Sequence, residues 1–147
     1  MFTRKELQDR LPALLTAVVP LKPVQFDQND FDPPDGEESI ALLRLRSDEG
    51  LDLMAFWVSA VVAEGWEARR SYLLPYLESA RCRPISELEF NALVSQHSSS
   101  LIRPLSLPLH PPSQFVCAMQ MDDDWHTITA IAEYADEFIS FHWETTA

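Results

Sequence analysis

Lysine and arginine are scarce in this chain. Its 147 residues hold 11 of them against 23 Asp and Glu, a formal net charge of −12, and none lies beyond Arg103. Binding nucleic acid through counterion release needs clustered bases, as does a basic helix lying on a membrane, so both classes are excluded. Glycine is scarcer still, with residues only at 36, 50 and 65. Phosphate-cradling loops need glycine for close backbone approach, so neither a P-loop nor a dinucleotide fingerprint can be assembled. The two cysteines, Cys82 and Cys117, have no Cys-x-x-Cys spacing and form no disulfide framework; they read as reduced thiols used as small hydrophobes. Long apolar runs are missing too. The run between Asp52 and Glu64 is 11 residues, whereas a spanning helix needs about 20. At the N-terminus, MFTRKELQDRLPALL mixes charges among its apolar residues instead of placing a charged head before an apolar block, so a cytoplasmic protein is expected.

What is present is the composition of an ordinary globular protein, 46% hydrophobic and 23% charged, at a length that fits one domain, 1–147. Thr3 and Glu6 have capping-box spacing, and Leu7, Leu11, Leu14, Leu15 and Val18 form one stripe, which predicts a helix over 3–19 with a kink or restart near Pro12. Residues 24–38 carry six acids and no base around Pro33-Pro34 and Gly36, and read as an acidic loop. Placing Gly36 at the sixth position of a calcium loop would put Phe31 and Pro33 at ligand positions, so an EF-hand is excluded.

The alternation in 39–46 predicts a strand with Asp48-Glu49-Gly50 as a hairpin turn; the apolar run 51–64 reads either as a return strand through about Trp57, the favoured reading, or as a buried helix throughout. A helix is expected over 68–82, with Pro75 as a kink or first-turn residue, and the overlapping segment 69–83 holds four arginines, the only basic concentration. Ser86 and Glu89 form a second capping box, flanked by Ile85 and Phe90 at the positions of a hydrophobic staple, so a helix begins at Ser86. Prolines at 104, 108, 111 and 112 make 101–112 an extended crossing segment. Beyond them, alternation at Phe115, Cys117, Met119, then Ile128, Ala130, Ala132, then Ile139, Phe141, Trp143 predicts a three-strand antiparallel meander. The expected fold is α+β, with helices packed on one face of an antiparallel sheet and the other face showing Thr127, Thr129, Ser140, His142 and Glu144 beside Trp125 and Phe138.

No motif for chemistry emerges. The histidines at 97, 110, 126 and 142 lack zinc-ligand spacing, although a cross-strand arrangement near His126, His142 and Glu144 is one alternative. No G-x-S-x-G elbow occurs. Neither a catalytic residue, a metal nor a cofactor is expected. The remaining signal is charge: from Met121 onward the chain carries seven acids and no base, interleaved with aromatics. An acidic surface with aromatic anchors complements a basic partner, by steering its approach and supplying hot spots. The expected function is therefore a non-enzymatic protein-binding protein, an immunity- or antitoxin-type inhibitor of a basic effector. Its binding residues are expected to be Asp122, Asp123, Asp124, Trp125, Phe138, His142 and Glu144. The alternatives are an acidic secretion chaperone or adaptor, which would dimerise, and an enzyme whose site is assembled from distant residues such as His126 or His142 with Glu144, Glu133 or Asp124.

Overall fold

The computed structural model describes residues 1–33, 37–65 and 70–146. The chain opens with helix α1 (Arg4–Thr16), which Thr3 caps by accepting from the Glu6 backbone N–H at 3.1 Å while the Glu6 side chain returns the bond. Pro12 lies within it and the helix continues past. Leu7, Leu11 and Leu14 form its buried stripe, as the periodicity requires.

Residues 24–38 are not wholly loop. Val24–Phe26 form strand β1, paired with Leu42–Ile40, and a 3₁₀ turn at Gln28–Asp30 follows. The proline-glycine part of the segment, 34–36, and with it the Gly36 register of the calcium test, lies outside the described residues. Strand β2 (Glu38–Arg46) is where the alternation placed it.

The expected return strand is instead helix α2 (Leu53–Ala63). Asp52 caps it, accepting from the Ala55 N–H at 2.8 Å, and Leu53, Met54, Phe56, Trp57, Val58, Ser59, Ala60 and Val61 are all buried. A helix covered all round has no amphipathic period, which is why an apolar run of this length reads equally as strand. Helix α3 (Arg70–Glu78) contains Pro75, and strand β3 (Arg83–Ile85) leads into helix α4 (Glu87–His97). The Ser86–Glu89 capping box starts α4, and both staple residues, Ile85 and Phe90, are buried in one cluster.

The C-terminal meander is β4 (Phe115–Asp123), β5 (Thr127–Tyr134) and β6 (Glu137–Thr145). It joins a six-stranded antiparallel sheet of order β1-β2-β6-β5-β4-β3, so the fold is α+β. Among the described residues no helix is long and apolar enough to cross a membrane.

Helices cover both faces of this sheet. On one, Phe90 and Val94 of α4 pack with Ile40, Leu42, Ala130, Ala132, Ile139 and Phe141. On the other, α1, α2 and Leu77 of α3 close over Leu43, Met119, Met121, Ile131 and Phe138. The face read as open and polar is thus mostly core. A register shift between Phe115 and Cys117 also divides β4, leaving Phe115 with the first cluster and Cys117 and Met119 with the second.

Candidate functional site

The second face is not covered to its end. Beyond the C-terminus of α2, side chains from β2, β5 and β6 remain open to a pocket of about 360 Å³. A β-bulge at Met121 aims its chemistry. Gln120 pairs with Ala130 and Asp122 with Thr129, leaving Met121 as the extra residue. Without it, strict alternation would send Met121 and Asp122 to opposite faces; with it, Met121 enters the core under the helices and Asp122 joins the Thr129 side.

From Asp122 a hydrogen-bonded chain crosses the pocket. Asp122 Oδ2 accepts from Thr127 Oγ1 at 2.8 Å and from Tyr76 Oη at 3.1 Å. Tyr76, brought in by α3, also lies 3.5 Å from Thr129 Oγ1, and Thr129 Oγ1 lies 2.8 Å from His142 Nδ1 on the neighbouring strand. His142 stands between two carboxylates, with Glu64 Oε2 3.9 Å from Nδ1 and Glu144 Oε2 3.7 Å from Nε2. Glu144 in turn faces Ser39 Oγ at 3.5 Å, and His126 Nδ1 is 3.7 Å from Asp124 Oδ2.

Burial governs protonation here. Desolvation pushes the Glu64 carboxyl up to about 7; the nearby charges of Glu144 and Asp122 add to the rise and His142 opposes it. Glu64 is also the C-cap of α2, the helix end that disfavours negative charge. Desolvation works against the charged form of His142, but Glu64, Glu144 and Asp122 outweigh it and raise its pKa. Desolvation, with the charges of Asp122 and Glu64, drives the Tyr76 phenol far above its ordinary range, so it remains a donor.

The pocket is therefore acidic. Glu64, Asp122, Asp124 and Glu144 line it with His126 and His142, and no lysine or arginine is among the described lining residues. No group of three His, Cys, Asp or Glu among the described residues is arranged to hold a metal ion. The thiols stand elsewhere: both cysteines are free, Cys82 being buried with its pKa pushed up to about 11, and the Cys117 thiol is likewise raised by desolvation. Raised thiols are poor nucleophiles at neutral pH.

Of the residues expected to bind a partner, Asp122, Asp124, His142 and Glu144 meet at this pocket. Asp123, the last residue of β4, and Trp125, on the adjoining β4–β5 turn, are exposed, Trp125 at 72%. Phe138 is a correction: it is buried in the core and stacks on Phe56 with ring centroids 5.3 Å apart, so it offers no surface to a partner. Strand alternation had separated His126 from His142, but His126 precedes β5 in the turn and lines the same pocket. Glu133 lies elsewhere, paired with Phe138 and beside Cys117. In the basic segment Arg81 donates to the Asp123 carbonyl and Arg83 lies on Gln120 and Glu89, while Arg69 and the side chain of Arg70 are outside what the structure describes.

Sequence reasoning missed Glu64 and Tyr76. The signal for Glu64 was its position as the first charge after an 11-residue apolar run, directly before Gly65. Tyr76 had none, because its partner Asp122 is 46 positions away. The chain matches no known family model, no curated protein and no solved structure.

Proposed function

We propose that this chain is a non-enzymatic protein-binding protein, an acidic inhibitor of the immunity or antitoxin type that neutralises a basic effector. One observation carries the reading: exposed Asp123, Asp124 and Trp125, at the end of β4 and in the turn after it, belong to a C-terminal segment without lysine or arginine and stand beside a pocket lined by four carboxylates. Clustered carboxylates raise the on-rate for a basic partner and fix its register, while an exposed tryptophan supplies the apolar anchor that charge alone lacks. An effector acting on nucleic acid or nucleotides presents the matching basic surface, and the carboxylates substitute there for substrate phosphates.

The test is capture from native lysate at low salt, with elution by a salt gradient. Wild type retains one basic protein in stoichiometric amount, and Asp123→Lys/Asp124→Lys releases it at markedly lower salt. Equal retention by the variant, or recovery of no basic protein, defeats the reading.

A second reading, an acid–base enzyme, is supported by the Glu64–His142 pair, whose proton is held near neutrality within a pocket. Incubating catalytic amounts of protein with mixed metabolites, followed by NMR, tests it. Turnover lost in His142→Ala supports an enzyme, and an unchanged mixture removes this alternative.

A further inference from the structure

Glu64 is the most unusual group of the pocket. Its side chain is only 10% exposed, yet it accepts no hydrogen bond from any described residue. Its nearest described cation is His142 Nδ1 at 3.9 Å, and that nitrogen already bonds Thr129 at 2.8 Å. A buried carboxylate without hydrogen bonds is costly, and such a group facing an opening lacks a donor that something else can bring.

We infer that the pocket is a socket for a single guanidinium group, with Glu64 as the buried counter-charge and Asp122 and Glu144 flanking it. This rests on, and narrows, the reading of the chain as a binder of basic surfaces. A bare metal ion does not fit, since no three ligands among the described residues are spaced for one. An ammonium is compact and strongly hydrated, and entering a site that has already stripped water from Glu64 would cost it that shell. Guanidinium is weakly hydrated, planar, and presents five N–H donors, so it can serve carboxylates arriving from α2, β4 and β6 together. The pocket, at about 360 Å³, lies within the ordinary range of small-ligand sites.

Binding is then coupled to protons. The groups facing Glu64 are His142 and Glu144 on β6, Asp122 on β4 and Tyr76 on α3, with Asp124 and His126 at the turn. A guanidinium stabilises the ionised Glu64 and expels its proton, so affinity rises with pH between about 5.5 and 8.

The experiment is calorimetric titration of the whole chain at low salt with four probes: N-acetyl-arginine amide, free arginine, N-acetyl-lysine amide and N-acetyl-citrulline amide. The expected result is binding of a guanidinium probe, at least tenfold weaker lysine binding and no citrulline binding. Glu64→Gln should weaken the guanidinium probe tenfold or more at pH 8 while still melting in one cooperative transition no lower than wild type; Glu144→Gln serves as second variant, with a several-fold loss. Preference for the capped over the free probe identifies a protein side chain as the source, and the reverse a small molecule. Absence of guanidinium binding, equal citrulline binding, or undiminished affinity in both variants overturns the socket. If arginine binds through Glu64 and no basic protein is captured, the socket stands and the inhibitor reading falls. If capture depends on Asp123 and Asp124 while no arginine probe binds, the converse holds.

Discussion

Glu64 ends α2 with its carboxylate 3.9 Å from the imidazole of His142, and both groups hold protons more tightly than they would in water. The unfolded chain releases the Glu64 proton near 4.5 and the folded chain near 7. Between those values the folded state binds the extra proton, so this contribution is present at low pH and is lost as pH rises through about 7. The full difference corresponds to about 3 kcal/mol as an upper bound. Glu64→Gln should match wild type in melting temperature near pH 4.5 and exceed it by several degrees at pH 8, checked by calorimetry. A difference independent of pH contradicts the buried carboxyl.

Tyr76 ties α3 to the sheet through Asp122. Tyr76→Phe removes the donor and keeps the ring, so among the described residues Thr127 is left as the side-chain donor to Asp122. A hydrogen bond to a charged acceptor contributes about 1.5–3 kcal/mol. Urea denaturation should show a lower midpoint at unchanged slope, and an unchanged midpoint would mean that the bond contributes nothing.

Phe138 and Trp125 separate core from surface. Phe138→Ala opens a cavity beside Phe56 and should cost about 3–5 kcal/mol. Trp125→Ala, on an exposed turn, should change stability by less than about 0.5 kcal/mol while weakening retention of the basic partner. Comparable destabilisation by the two would refute the placement of either ring.

Asp52 caps α2 and pairs with Arg10 at 2.7 Å. Burial acts to raise its pKa, but the Ala55 N–H and Arg10 outweigh that and hold its carboxyl below the ordinary value. Its contribution is therefore present above the unfolded value and is lost as pH falls. Asp52→Ala should cost about 1 kcal/mol at pH 7, and less near pH 3, by chemical denaturation. No loss at pH 7 would argue against a capped helix at 53–63.

Elements whose causes are local are legible in the chain without its fold. The Thr3–Glu6 and Ser86–Glu89 boxes start α1 and α4 because a cap and its return bond lie within four residues. The meander follows from alternation and short polar turns, and the acidic character of the C-terminal half is composition alone. Residues 53–63 were decided by tertiary structure, since a segment buried on every side carries no period to read. So was Phe138, whose strand position is the same whether helices cover its face or not. The pocket was illegible for a related reason. Its chemistry needs Glu64, Tyr76, Asp122 and His142 on α2, α3, β4 and β6 to converge. It also needs the bulge at Met121 to turn Asp122 inward, and only the packing of helices on the sheet sets those relations.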